Sequence, residues 1–109
     1  MQLSGYRSMW LITMFDLPTD TPAARREYSK FRHMLLLSGF SMMQYSVYSR
    51  HCSSKENAET YVRRIERQLP PDGQVRVLRI TDKQFERMKV FWGKARLPTE
   101  SPPAQLEFF

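Results

Sequence analysis

Met9–Asp16, with the sequence MWLITMFD, is a run of apolar and β-compatible residues that ends in one acid and is closed by Leu17-Pro18. A short continuous apolar run of this kind, with β-branched and aromatic residues before a proline turn, is typical of a strand covered on both faces. The stretch therefore predicts a central strand. Its carboxyl end, at Asp16, is where we expect chemistry to lie.

The composition indicates one small basic domain. A chain of 109 residues can bury a real core but is too short for two domains. Its 17 Lys and Arg against 11 Asp and Glu favour an anionic partner, nucleic acid before membrane. The single cysteine, Cys52, excludes an intrachain disulfide, and no Cys/His cluster indicates zinc. With no export signal or membrane span in the pattern, we expect a soluble cytoplasmic protein that does not bind membranes.

A first helix is predicted after the strand. Thr21 is its expected N-cap, Pro22 its first residue and Gly39 its C-terminal cap. Its apolar stripe consists of Ala24, Tyr28, Phe31 and Leu35. Residues 40–52 have no helical period, so they are either two short strands joined by a bend near residues 44–45 or one long bent strand.

A second helix is predicted to open with a capping box from Ser53 to Glu56. Its buried stripe is expected to comprise Ala58, Tyr61, Val62, Ile65 and Leu69. After the breaker at residues 70–73, the pattern predicts a strand over residues 75–80. A further capping box from Thr81 to Gln84 predicts a short helical turn through Arg87, and residues 90–92 favour a short strand.

This order of elements predicts an α+β fold, the ferredoxin-like βαββαβ arrangement with an antiparallel sheet, both helices on one face and a C-terminal strand or tail. The expected domain covers residues 1–94, with 1–8 a frayed leader. Residues 95–109 are a Pro-rich tail that ends in an apolar docking segment, Leu106–Phe109.

Two helices on one side leave the other face of an apolar central strand uncovered. We therefore expect a homodimer in which two sheets pack face to face, with the tail adding to a sheet edge. A monomer with an open apolar face is the alternative.

Several motifs resemble those of one family, the CRISPR-associated protein two family. Members of this family are the second of the two universal CRISPR adaptation proteins. The resemblance rests on these residues: Met9–Pro18, Arg25-Arg26, Lys30–Arg32, Gly39-Phe40, Gln44–Tyr48 and Ile80–Phe85. The last of these stretches, Ile80–Phe85, is similar to the form of the family found in systems with a single large effector nuclease. The resemblance implies a ferredoxin-like homodimer that bridges two dimers of the CRISPR integrase during spacer acquisition. It also implies a metal-dependent endonuclease activity on RNA or DNA.

An acid at the end of a buried strand is rigidly held yet accessible, which suits a Mg²⁺ ligand, although Asp16 could equally cap its turn. One Asp is a poor Mg²⁺ site by itself. The resemblance implies that two copies of Asp16 share Mg²⁺ across a dimer axis, with metal-activated water attacking a phosphodiester. It also implies a catalytic or substrate-handling role for Ser46 and Tyr48, although Tyr48 fits strand packing better. Asp20 is expected to cap the helix start.

Seven cations on the two predicted helices are candidates for nucleic-acid binding: Arg25, Arg26, Lys30, Arg32, Arg63, Arg64 and Arg67. Because both helices lie on one face of the predicted sheet, these side chains can form one stripe that follows phosphates. No base-reading helix is evident, so little sequence specificity is expected. Surface or capping roles fit His33 and His51.

The leading hypothesis is a homodimeric scaffold that binds double-stranded DNA and positions the integrase. The alternative is a Mg²⁺-dependent endonuclease that uses Asp16, with Ser46 and Arg25 or Arg26 orienting phosphate. A regulatory dimer that binds peptide or a small ligand is a third and weaker hypothesis.

Overall fold

The computed structural model describes residues 8–103, so the predicted docking segment and most of the predicted leader lie outside the described residues. Its elements follow in order: β1 Met9–Asp16, α1 Pro22–Leu37, β2 Ser41–Gln44, β3 Val47–Cys52, α2 Lys55–Arg67, β4 Gln74–Thr81, α3 Asp82–Glu86, β5 Val90–Trp92 and β6 Ala95–Leu97. No helix in this part of the chain has the length and apolar character needed to cross a bilayer.

Strands β1 to β4 form one antiparallel sheet in the order β2-β3-β1-β4. The first strand is internal, as its apolar pattern predicts, and it pairs with β3 on one side and β4 on the other. Residues 40–52 contain two strands joined by a turn at Tyr45 and Ser46, which decides between the two alternatives for this segment. The ferredoxin-like prediction is confirmed.

The helix face of the sheet is the side on which α1 and α2 pack. Leu11 and Phe15 of β1 point to this side and join the main hydrophobic core. Phe31 and Leu35 of α1 and Ile65 of α2 meet them there, each almost fully buried. Period-two alternation along β1 thus places its odd-numbered residues under the two helices.

The second face is the opposite side of the sheet, where the even-numbered residues of β1 lie. Trp10 and Ile12 are buried there under Phe85 of α3, whose ring stacks on the Trp10 indole with centroids 3.8 Å apart. The chain therefore covers part of this face itself, a contact that no sequence pattern indicated. Further along the face, Leu78 keeps 47% of its surface exposed.

The helix boundaries confirm some local predictions and correct others. Thr21 caps α1, and Thr81 forms the predicted capping box with Gln84 at the start of α3. The capping box predicted from Ser53 to Glu56 is wrong, because Ser54 is the N-cap of α2 and its hydroxyl accepts the backbone N–H of Asn57. Leu69, expected in the buried stripe, lies beyond the end of α2 and is 51% exposed.

The last two strands form a separate hairpin. β5 pairs with β6 in antiparallel register, and Gly93 in the connecting turn has a φ of +61°. The predicted strand over residues 90–92 is confirmed, and β6 lies within the segment predicted as a C-terminal strand or tail. The predicted boundary after Lys94 falls inside this hairpin.

Candidate functional site

Asp16 ends β1 and its side chain is exposed. Gly73 allows β4 to approach this end, because at its φ of +92° an added Cβ would lie only 2.6 Å from the Asp16 carbonyl oxygen. Phe15 belongs to the helix-face core, so alternation directs Asp16 towards the second face. Within residues 8–103 the Asp16 carboxylate accepts no hydrogen bond, and the alternative of a turn cap finds no contact to support it.

A single copy of the chain offers few ligands for a metal. Within the described part, no group of three or more His, Cys, Asp or Glu side chains is arranged to hold an ion. Mg²⁺ commonly takes one or two carboxylates and keeps several waters, so Asp16 fits as a ligand when a second copy contributes its own Asp16. The cap at the start of α1 is Thr21, whose Oγ accepts from the backbone N–H of Ala24 at 3.0 Å, and not Asp20.

Ser46 lies in the turn between β2 and β3, at the same end of the sheet as Asp16. Its carbonyl accepts the backbone N–H of Phe15 at 3.1 Å, and its φ of +61° is unusual for a residue other than glycine. The Ser46 hydroxyl lies 3.5 Å from the Tyr28 phenol, on the helix face. The fold thus brings Asp16 and Ser46 to one edge but directs their side chains to opposite faces.

Tyr48 is a core residue, in agreement with the strand-packing interpretation. Only 1% of its surface is exposed, and its ring stacks on Phe15 with centroids 5.6 Å apart. Its phenol oxygen accepts a hydrogen bond of 2.7 Å from Nε of Arg32. This contact anchors one of the candidate phosphate-binding cations to the sheet.

The four candidate cations of α1 lie on its outer surface. Arg25, Arg26, Lys30 and Arg32 are exposed and line one shallow groove of about 720 Å³ together with His33. Arg25 donates to the carbonyl of Thr19 at 3.0 Å, which holds its guanidinium at the helix start. The sequence prediction of a surface role for His33 agrees with its exposure.

The three candidate cations of α2 differ from one another. Arg63 and Arg67 are exposed, whereas Arg64 is half-buried, donates to the Ser38 hydroxyl at 3.2 Å and lies over the Tyr61 ring. Arg67 and Lys30 line one groove between the helices, which brings the two sets of cations together. Among residues 8–103, none of the seven cations lies within ion-pair distance of a carboxylate.

His51 packs between Trp10 of β1 and Asp82 of α3. Its Nε2 lies 3.2 Å from Oδ1 of Asp82 at the start of α3, although the two atoms are not aligned as a hydrogen bond. Its ring meets the edge of Trp10 at a centroid distance of 5.1 Å. His51 thus links β3 to the element that covers the second face.

Two features at the helix face were missed from the sequence. Arg50 donates 2.7 Å hydrogen bonds to the carbonyls of Ser38 and His51 and to the Tyr61 phenol, and thereby joins the end of α1 to β3 and α2. An isolated arginine in a strand carries no pattern that would reveal this role. Tyr45 is 80% exposed at the tip of the β2–β3 turn, and a large aromatic at a predicted bend was the available signal.

The family model described as CRISPR associated protein Cas2 matches residues 9–88. A protein of Parvibaculum lavamentivorans, named CRISPR-associated endoribonuclease Cas2, is 60% identical over 101 residues, which are 93% of this chain and all of that protein. A protein of the same name from Flavobacterium psychrophilum is 49% identical over 99% of this chain and 94% of its own length. A solved structure titled Crystal structure of cas2 aligns with a TM-score of 0.55 at 18% identity, covering 90% of this chain and 97% of the other, which supports the fold alone.

Proposed function

This chain belongs to the Cas2 family of CRISPR-associated proteins, and on that premise we propose that it is a homodimeric scaffold that binds double-stranded DNA during spacer acquisition. In this role it bridges dimers of the CRISPR integrase, as the sequence resemblance implies. The observation that carries the proposal is the set of seven cations on α1 and α2. Within the described residues these cations have no carboxylate partner, so their charge is available for phosphates.

The geometry favours contact with a phosphate backbone over recognition of bases. The cations lie on the outer surfaces of two helices, and the shallow groove along α1 is too open to enclose a small ligand. Lys30 and Arg67 connect the two helices across a shared groove. Contacts of this kind position a duplex without carrying sequence information.

The apolar character of the second face supports a homodimer. Leu78 is half-exposed, and Met14 and Val47 on the same face are only partly buried. Adjacent apolar side chains on one side of a molecule are a common feature of surfaces that bind another protein. A second copy packed on this face would also direct the Asp16 side chains of both copies towards the shared interface.

The scaffold is tested by the salt dependence of binding to a blunt 30-base-pair duplex. Changing Arg25, Arg26 and Lys30 together to Gln should weaken binding and flatten the plot of log K against log salt by roughly 0.9 for each phosphate contact removed. The matched control changes Lys83, Arg87 and Lys94 to Gln, which removes the same charge from α3 and the hairpin. Equal slopes for the two triple variants would refute the proposal.

A metal-dependent endonuclease is the second candidate, and two observations favour it. The relatives named above are called endoribonucleases. Asp16 is also an exposed carboxylate at the rigid end of an internal strand, without a hydrogen-bond partner among residues 8–103. Two copies of Asp16 would provide the number of carboxylates that Mg²⁺ commonly takes. A bound Mg²⁺ would supply an activated water and neutralise charge on a phosphodiester.

In the endonuclease, this chain's own residues would bind and orient the substrate. Arg25 is held at the helix start by Thr19, so its guanidinium is preorganised for a phosphate near the Asp16 end of the sheet. Ser46 lies on the helix face and would contact the nucleic-acid substrate from that side. The proposed roles are thus ion binding for Asp16 and substrate orientation for Arg25 and Ser46.

Cleavage of single-stranded RNA and of double-stranded DNA by matched preparations tests the second candidate. Activity with Mg²⁺ that disappears with EDTA and in Asp16→Asn would support it. Asp72→Asn, which removes another exposed acid from the loop before β4, is the control and should keep the activity. Equal cleavage by the wild type and Asp16→Asn would refute a role for Asp16 and leave the scaffold as the function.

A further inference from the structure

A cluster of hydroxyl groups lies where α1 meets the turn between β2 and β3. This phenol corner consists of Tyr28, Arg32, Tyr45, Ser46 and Tyr48. The phenol of Tyr28 lies 3.5 Å from the Ser46 hydroxyl, and Arg32 donates to the Tyr48 phenol at 2.7 Å. Residues from one helix and one hairpin thus place three phenols, one hydroxyl and one guanidinium together.

Tyr45 is the exposed member of the phenol corner. Although 80% of its surface is open to solvent, its phenol is close enough to Tyr28 that hydrogen bonding to Tyr28 and the charge of that group raise the pKa of Tyr45. Its neighbour Ser46 adopts a left-handed backbone conformation, which is unfavourable for a residue other than glycine. The ring of Tyr45 is therefore presented to solvent beside the corner.

Arg32 supplies the positive charge of the phenol corner. A guanidinium has five donor hydrogens, and the described contact with Tyr48 uses only the one on Nε. Among residues 8–103, no carboxylate lies within ion-pair distance of Arg32. The terminal nitrogens are free to bind a planar anion such as phosphate, and the contact with the buried Tyr48 holds the guanidinium in place.

We propose that the phenol corner binds one unpaired nucleotide of a nucleic-acid strand, with the base stacked on Tyr45 and the phosphate on Arg32. This inference rests on the proposed nucleic-acid-binding function and adds a specific preference to it. Bases within a duplex are already stacked on their neighbours, so an exposed ring can stack only on a base that is unpaired. The other six cations of α1 and α2 would bind duplex phosphates, and the phenol corner, with Arg32, would bind a single-stranded end or loop.

Stacking is tolerant of base identity, because every base has a π-face. The phenol corner should therefore accept pyrimidines and purines alike. The hydroxyl groups of Tyr28 and Ser46 would lie beside the sugar, where a ribose offers a 2′-hydroxyl that deoxyribose lacks. Tighter binding of RNA than of DNA of the same sequence would identify RNA as the natural source of the nucleotide.

The test uses ten-nucleotide single strands of DNA and of RNA that carry 2-aminopurine at one position. Stacking quenches 2-aminopurine, so the wild type should reduce its emission and bind with measurable affinity. Tyr45→Ala should abolish the quenching and weaken binding by about tenfold or more. Tyr45→Phe keeps the ring and should stay within about twofold of the wild type. Arg32→Gln should reduce the slope of log K against log salt by roughly 0.7, the value for one phosphate contact on a single strand.

Phe91→Ala is the matched control, because it removes another exposed aromatic ring, one that lies in the β5–β6 hairpin. It should bind and quench like the wild type. Equal effects of Tyr45→Ala and Phe91→Ala, quenching that survives Tyr45→Ala, or no binding of the strands by the wild type would each overturn the proposal. Binding of the blunt duplex should be unchanged in Tyr45→Ala, so failure of the phenol corner is distinguishable from failure of the DNA scaffold.

Discussion

The two faces of the sheet are closed in different ways, although the same strand supplies the centre of both. On the helix face, α1 with 16 residues and α2 with 13 residues cover Leu11 and Phe15. On the second face, Phe85 of the five-residue α3 covers Trp10 and Ile12. The helix face is a complete protein core, whereas residues 8–103 cover the second face at one end only.

This difference indicates which side of the molecule is available for assembly. Leu78 is half-exposed on the second face, and the buried Nε1 of Trp10 has no hydrogen-bond partner among the described residues. An unpaired buried donor is costly, and an exposed apolar side chain would be stabilised if a partner buried it. The helix face presents cations to solvent instead. Protein contacts are thus expected on one side and nucleic-acid contacts on the other.

The largest effect on stability is expected on the helix face. Phe31 is 2% exposed and meets the Phe15 ring at a centroid distance of 5.3 Å, so Phe31→Ala leaves a cavity between two elements that cannot collapse fully. We expect a loss of about 3–5 kcal/mol in the free energy of unfolding, measured by urea denaturation. A loss below that of Phe85→Ala would contradict the view that the helix face is the main core.

Removal of Phe85 should have a smaller effect, because it uncovers Trp10 to solvent and leaves no closed cavity. We expect Phe85→Ala to cost about 1.5–3 kcal/mol, which is the transfer free energy of one large apolar side chain. In a Trp92→Phe background, Trp10 is the remaining indole of the chain. Adding Phe85→Ala to this background should shift the fluorescence emission of Trp10 to longer wavelength. An unshifted emission maximum would mean that α3 does not cover Trp10 in solution.

Leu78→Ser should change the stability of the single chain least, since the side chain is already half-exposed. We expect a change within about 0.5 kcal/mol when the folded monomer is compared by urea denaturation. The proposed homodimer buries this side chain, so the same variant should shift the molecule from dimer to monomer in sedimentation at micromolar concentration. A wild type that is already monomeric would remove the second face as a dimer interface.

The reactivity of Cys52 reports on the helix face alone. Burial in the helix-face core raises the pKa of the Cys52 thiol, and nearby Arg50 opposes this more weakly. At pH 8 the folded protein should therefore contain less thiolate and react with iodoacetamide more slowly than the urea-unfolded chain. Phe31→Ala should increase the rate, whereas Phe85→Ala should leave it unchanged. Similar increases in both variants would mean that the two faces open together.

Much of the site could be located from the sequence, because its residues lie within or beside sequence patterns that predict a strand end or a helix face. The apolar run of β1 places Asp16 at a strand end, and the period of the two helices exposes all of their candidate cations except Arg64. The Thr81 capping box likewise predicted α3. The capping box at Ser53 was predicted one residue early, since two adjacent serines offer the same side-chain chemistry to the helix start.

The sequence by itself determined the order of strands and helices, the internal position of β1, and the identity of the exposed cations. Only the tertiary structure decided that Phe85 packs on Trp10, that Arg50 ties α1 to α2, and that Ser46 and Asp16 point to opposite faces. The reason is physical: hydrophobic period and capping act between residues a few positions apart, so they can be read locally. Contacts between distant segments depend on how the whole chain closes its core, and no local pattern records them.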